Sequence, residues 1–197
     1  MIKNEKGLLL VISGPSGVGK GTVVKELLDD TTVLSVSATT RNPRAGETDG
    51  VNYFFYDKEK FESMIQNDEL MEWASYCDNY YGTPKSFVEE QINQGKNVIL
   101  EIEVQGAMHI KENHPEGVYI FILPPSLEEL RNRIIGRGTE TEDVIDNRMA
   151  QVTRELSFAG EYQYLVENNK IEQAVADIRS IIRAEQSKTE RCTAELL

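Results

Sequence analysis

The residues with the clearest chemical use lie near the start of the chain. Ser13-Gly14-Pro15-Ser16-Gly17-Val18-Gly19-Lys20-Gly21-Thr22 sets glycines and a lysine where an apolar run gives way to a helical pattern. In that setting glycines let backbone N–H groups turn inward, a helix N-terminus adds partial positive charge, and Lys20 reaches the outer phosphates of a nucleotide. Gly14, Pro15, Ser16, Gly17, Val18, Gly19, Lys20, Gly21 and Thr22 are therefore the candidate phosphate cradle. Gly21 stands where such loops usually carry a Ser or Thr that ligates Mg2+, and Thr22 comes one residue late. A metal here is expected to rest mainly on nucleotide oxygens and water, which Mg2+ chemistry permits.

Two further sets stand out. Arginines concentrate in two short stretches, Arg41 with Arg44, then Arg131, Arg133, Arg137 and Arg148, within a chain of net charge −12. A local basic pocket follows. Arg41 and Arg44, three apart on a proline-containing segment, offer forked donors suited to a dianionic phosphate. Tyr53 and Tyr81 can each give a phenolic O–H to the same group. Glu101 and Glu103, two apart at the end of an apolar run, project to one side. At the C-terminal end of a parallel strand they would face the ligand crevice of an open α/β sheet.

These residues need elements to hold them. Apolar runs at Gly7–Ser13, Asn97–Ile102 and Val118–Leu123 have the length and β-branched content of buried strands, each followed by a helical pattern, so the fold class is α/β with a parallel sheet flanked by helices. Helices are expected over Thr22–Leu28, Ser126–Ile135 and Gln173–Ala184, with a short strand at Tyr164–Val166. Between Ser35 and Thr83 short β-like pieces rich in Tyr and Phe surround one helix with Phe61, Met64 and Ile65, which reads as an inserted mixed β/α lobe. Phe54, Tyr56 and Tyr80 are assigned to its packing. The polar stretch 136–159, with Thr139 and Glu142 spaced as a capping box, reads as a small helical lid. The chain is thus one domain: a core of 1–34, 84–135 and 160–197, a lobe of 35–83, and the lid.

Composition narrows the function. The acidic balance argues against a nucleic acid polymer as partner, because duplex phosphates need a basic stripe. No apolar run is long enough for a membrane span, and the expected location is cytoplasmic. Cys77 and Cys192, unpaired in spacing, and two histidines suit neither a disulfide framework nor a zinc site.

Thr39-Thr40-Arg41-Asn42-Pro43-Arg44-Ala45-Gly46-Glu47, with Gly50 and Tyr53-Phe54-Phe55 beyond, resembles the signature of guanylate kinases, and the likeness extends over nearly the whole chain. It takes in the phosphate loop, Glu72-Trp73-Ala74, Asn79-Tyr80-Tyr81-Gly82-Thr83, Glu101-Ile102-Glu103-Val104-Gln105-Gly106, Pro124-Pro125-Ser126 and Gly136-Arg137-Gly138-Thr139-Glu140-Thr141. The resemblance implies transfer of the γ-phosphoryl of ATP to GMP, and to dGMP beside it, with Mg2+, in purine nucleotide metabolism. It implies Arg41, Arg44, Tyr53 and Tyr81 on the GMP phosphate, and Ser37, Glu72 and Thr83 on guanine, whose adjacent N1–H and 2-amino donors one carboxylate can accept together. Arg133, Arg137 and Arg148 would be lid arginines closing on ATP, while Arg131 faces solvent. Many members carry an Asp in the run at 101–103; two glutamates leave open which serves the metal and which GMP, with Glu101 favoured for the first and Glu103 for the second. Near the last strand, Glu167-Asn168-Asn169 replaces the usual Val-Asn-Asp, and Asn168 is the candidate contact to adenine.

Overall fold

The computed structural model describes residues 2–3, 6–135 and 142–194. Arg137, the glycines beside it and the Thr139 cap lie outside the described residues. In chain order the elements are β1 (Ile2–Lys3), β2 (Leu9–Ser13), α1 (Lys20–Leu27), β3 (Thr32–Leu34), β4 (Ala38–Thr39), β5 (Phe54–Phe55), α2 (Lys58–Gln66), β6 (Leu70–Tyr76), β7 (Asn79–Pro84), α3 (Lys85–Asn93), β8 (Asn97–Glu101), α4 (Val104–Asn113), β9 (Val118–Leu123), α5 (Leu127–Ile135), α6 (Glu142–Leu156), β10 (Tyr164–Glu167), α7 (Ile171–Gln186) and β11 (Thr193–Ala194).

β2 is the middle strand of a five-stranded sheet ordered β10-β9-β2-β8-β3, every pair parallel. Its side chains are buried on both faces, which is why its sequence is an unbroken apolar run rather than an alternation. Leu10 and Ile12 join Val23 and Leu27 of α1 and Ala174 and Ile178 of α7 in one cluster. Leu9 and Val11 join Val88 of α3 and Ala107 and Ile110 of α4 in the other. Each Val, Leu or Ile among them contributes about 1.5–3 kcal/mol on burial. α6 belongs partly to this core, since Val152 is fully buried in the α1–α7 cluster and Leu156 packs against both clusters.

A separate four-stranded mixed sheet, ordered β5-β4-β7-β6, forms the lobe, with β4–β5 parallel and the other pairs antiparallel. α2 covers it. Asp57 caps that helix by accepting from Lys60 N–H at 2.7 Å. The small core is Ala38, Phe61, Met64 and Leu70, with Phe54, Tyr56 and Tyr80 packed around it. β6 and β7 form a hairpin whose turn residues, Cys77 and Asp78, both have positive φ, 47° and 61°. That is the left-handed pair a tight hairpin requires, supplied without the usual Asn-Gly. Cys77 and Cys192 are free thiols.

Opposite the crevice, Asn97 ties the N-terminal ends of the strands. Its Oδ1 accepts from Leu8 N–H at 3.1 Å and from Gln186 Nε2 at 3.2 Å, and its Nδ2 donates to Thr32 Oγ1 at 3.2 Å. At 2 % exposure the Asn97 amide has no water to turn to. Asn97→Leu is expected to lower the unfolding free energy by about 1–3 kcal/mol. A urea titration would register this, with the Michaelis constants of any nucleotide reaction unchanged because the knot is remote from the crevice.

Candidate active site

The phosphate loop is built where β2 ends and α1 begins. Gly19, at φ 94°, is the N-cap of α1 and offers no side chain to the first helical turn, which also lacks an acidic residue. The helix N-terminus is thus left to an external anion. Gly14 is held so close to β9 that a Cβ there would stand 2.5 Å from Ile122 O. Lys20 folds back along the loop, its Nζ bonded to Gly14 O and, at 3.4 Å, to Pro15 O.

The back of the loop is braced. Val18 is fully buried, and its carbonyl accepts from Asn168 Nδ2 at 2.8 Å and from Arg133 Nη1 at 3.4 Å. Arg133 also donates to Asn168 O at 3.2 Å and to Glu129 Oε1 at 3.1 Å. Asn168 is only 4 % exposed. Its side-chain amide is therefore committed to the loop, while the residue still borders a cavity of about 460 Å³ with Gly17, Gly19, Thr22, Arg133, Asn169 and Ile171. A larger cavity, about 970 Å³, lies at the other end of the sheet among residues such as Leu8, Val88, Ile92 and His114, away from every phosphate-binding group. The smaller one borders the phosphate loop.

Across the crevice, Arg41 meets Glu47 fork to fork, Nη1–Oε2 at 3.0 Å and Nη2–Oε1 at 2.9 Å. A phosphate would use the same geometry. Glu47 also accepts from Arg44 N–H at 2.7 Å, and Arg41's hydrogen bonds hold its carboxyl below the usual range. The Arg41 guanidinium lies over Tyr53 and Phe55, 5.6 and 5.8 Å from the ring centroids. Tyr53 stands edge-on to Tyr81 at 6.2 Å, and Glu47 first, then Tyr81, favours the charged form of the Arg41 guanidinium. Arg41, Tyr53 and Tyr81 are thus one group. The Arg44 side chain is exposed beside it.

Glu72 and Thr83 face each other across the β6–β7 ladder, the buried Thr83 hydroxyl donating to Glu72 Oε1 at 2.8 Å. Oε2 points toward α4, where a Cβ on Gly106 would lie 3.6 Å away. Burial raises the Glu72 carboxyl above its ordinary value, opposed by the Thr83 bond and the charge of His109. Ser37 is half-buried on the approach to β4, and its carbonyl accepts from Phe54 N–H. Glu101, the last residue of β8, emerges from four buried neighbours into the crevice. Its carboxylate oxygens lie 3.6 and 3.8 Å from where a Gly21 Cβ would be. Burial raises its carboxyl too, and Lys20 pulls it back down. Glu103 is the N-cap of α4, exposed, without a side-chain capping bond. A hard carboxylate beside the lysine of a loop lacking a hydroxyl at 21 fits Mg2+ held chiefly through water.

Arg148 is half-buried on α6. Arg131, its side chain 42 % exposed, reaches Asp146 at 3.5 Å and so links α5 to α6 at the solvent side. Sequence reasoning passed over three carboxylates: Glu47 on Arg41, Glu129 on Arg133, and Glu155, which accepts from Ser16 N–H at 3.1 Å. Glu47 lay within a recognisable signature and Glu129 four residues before Arg133 on one helix, but Glu155 carried no local signal.

A central parallel strand that delivers a glycine loop and lysine to the C-terminal edge of the sheet, facing an arginine–tyrosine group on an inserted lobe, defines a phosphate-loop protein of the nucleotide-kinase class. The guanylate kinase family matches residues 6–185, and the chain belongs to that family. It is 57% identical over 192 residues to the guanylate kinase of Halalkalibacterium halodurans, covering 96% of this chain and 94% of that one. Against the guanylate kinase of Clostridioides difficile the identity is 56% over 189 residues, covering 95% and 92%. The crystal structure of guanylate kinase from Anaplasma phagocytophilum superimposes with a TM-score of 0.74 at 37% identity, over 96% of this chain and 92% of that chain.

Glu72 gives a test of sign. A carboxyl whose folded-state pKa is raised above the ordinary 4.5 makes the native state lose stability as pH rises through the raised value. Glu72→Gln keeps an oxygen for Thr83 and removes that cost. Its melting temperature is expected to exceed the parent's at pH 7 and to converge on it near pH 4. Calorimetry at the two pH values checks this, and a variant less stable at pH 7 would show that the carboxylate is net stabilising.

Proposed function

We propose that the chain transfers the γ-phosphoryl group of ATP to GMP, and to dGMP beside it, giving ADP and GDP. The observation that carries this is the pairing of Glu72 with Thr83: one carboxylate oxygen is held from within, leaving the other for guanine's two adjacent donors, across the crevice from the phosphate loop. Adenine presents an acceptor at N1 and would leave the other Glu72 oxygen without a donor there, a mismatch worth on the order of 10⁴ in specificity.

The remaining roles follow from position. The ATP phosphates lie on Gly14 to Thr22, with Lys20 released from the loop carbonyls to the β and γ phosphates. Arg41 and Arg44, with Tyr53 and Tyr81, hold the GMP phosphate and exclude water from it. Ser37 and Thr83 complete the guanine side, and Asn168 supports the loop beside the adenine cavity. Glu101 would hold Mg2+ through water, which would supply neutralisation of phosphate charge, while Glu103 faces GMP. Arg137 and Arg148 close on the triphosphate beside Arg133 as the part of the segment 136–159 farther from the core moves over the crevice, and 35–83 closes from the GMP side. A GMP phosphate oxygen then bonds the γ phosphorus as its bond to the β–γ bridging oxygen breaks and ADP leaves. The location that suits these substrates is the cytoplasm; among the described residues no helix is long and apolar enough to cross a membrane.

A coupled ADP-release assay with GMP, dGMP, AMP, CMP and UMP is expected to rank GMP first, and Lys20→Ala to lose about 10²–10³ in kcat. Equal turnover of AMP would overturn the guanine assignment. Glu101→Gln is expected to raise the Mg2+ concentration needed for half-maximal rate at unchanged KM for GMP, and Glu103→Gln to do the reverse. Exchange of these two effects would exchange the two roles.

A further inference from the structure

We propose that Glu155 is a positioning residue for phosphoryl transfer: its carboxylate fixes the Pro15–Ser16 peptide of the phosphate loop, and through that peptide the place Lys20 holds before a nucleotide binds. The proposal rests on the kinase activity proposed above, but its first readouts are ATP binding and a backbone resonance, neither of which requires turnover.

A trans peptide points its N–H and C=O in opposite directions. The Ser16 N–H donates to Glu155 Oε2 at 3.1 Å. The carbonyl of the same peptide, Pro15 O, accepts from Val18 N–H at 3.3 Å and from Lys20 Nζ at 3.4 Å. Glu155 therefore holds one end of a lever whose other end touches the ammonium group. Pro15 has no N–H, so Ser16 carries the loop's first backbone donor after Gly14, and Glu155 takes it.

Glu155 is itself held. Its Oε1 accepts from Gln151 Nε2 at 3.3 Å one turn earlier on α6. Val152 and Leu156, on either side in sequence, pack into the sheet's clusters. This anchorage keeps the carboxylate fixed at the loop. A carboxylate in the last turn of a helix lies at the unfavourable end of the helix dipole. Its use is therefore outside α6, and the partner outside is Ser16. Because α6 also carries Arg148, the contact fixes the phosphate loop relative to the base of the helix that bears a proposed lid arginine.

The test compares Glu155→Ala with Glu155→Gln, which keeps an acceptor oxygen at the same reach. Glu155→Ala is expected to weaken ATP binding by calorimetry, and to lower kcat/KM for ATP about tenfold, with KM for GMP unchanged. Its Ser16 amide proton should move upfield in a 1H–15N spectrum. Glu155→Gln should restore most of the binding and leave the amide near its original position. Tighter or unchanged ATP binding in Glu155→Ala, an unmoved Ser16 amide, or no rescue by glutamine would each overturn the proposal. If Glu155→Ala does not fold, Glu155→Met fills the space without an acceptor and is held to the same outcomes. A parent protein that binds ATP but turns over no GMP would sink the kinase assignment and leave the binding comparison standing.

Discussion

A phosphate loop can bind only with hydrogen-bond donors that the protein itself has left available. Buried or half-buried backbone N–H groups otherwise find internal partners, because an unmet donor costs about 1–3 kcal/mol. Here the first turn of α1 follows Gly19, which has no side chain to cap it, and the loop cannot relax toward β9, because Gly14 already lies against Ile122. Placing β2 in the middle of the sheet makes this possible. Strands on both sides fix the start of the loop, and helices on both faces supply the burial that offsets the uncapped end.

A protein of net charge −12 must attract two polyanions, and it does so by local arrangement. Arg41 and Arg133 are each held by a carboxylate, Glu47 and Glu129. Such pairs keep the guanidinium groups oriented and reduce their mutual repulsion. The pairs are partly solvated, so they are weak enough to rearrange when a phosphate arrives. Tyr53, Phe55 and Tyr81 surround Arg41 with rings, which lowers the local polarity and strengthens any charge-assisted bond formed there.

What the sequence made legible were features whose chemistry resides in local spacing. The glycines and Lys20 declare themselves because the backbone conformation they permit is the function, and Val118–Leu123 declares itself because a doubly covered strand has no polar face to show. The β6–β7 hairpin was harder: Cys77-Asp78 is not a conventional turn pair, and Glu72-Trp73-Ala74-Ser75 does not alternate as a half-buried strand should. In the site, residue types were readable but partners were not. That Asn168 turns its amide inward to Val18, or that Glu155 reaches Ser16 from 139 residues away, is decided by tertiary packing alone.

Those long-range contacts converge on Val18 and its neighbours, and the convergence has an energetic meaning. The Val18 side chain is buried in one cluster with Leu130 and Ile134 of α5 and Val152 of α6, while its carbonyl takes donors from Asn168 and Arg133. A Cβ on Gly17 would meet Ile134 at 2.9 Å, so α5 is packed directly against the loop. The loop is therefore set in shape before a nucleotide arrives, and binding does not bear the cost of ordering it. The same packing places the bases of α5 and α6 on the loop's back. Their arginines approach the phosphates from elements already registered to the cradle, so closure has to move only the parts of α5 and α6 farther from the core.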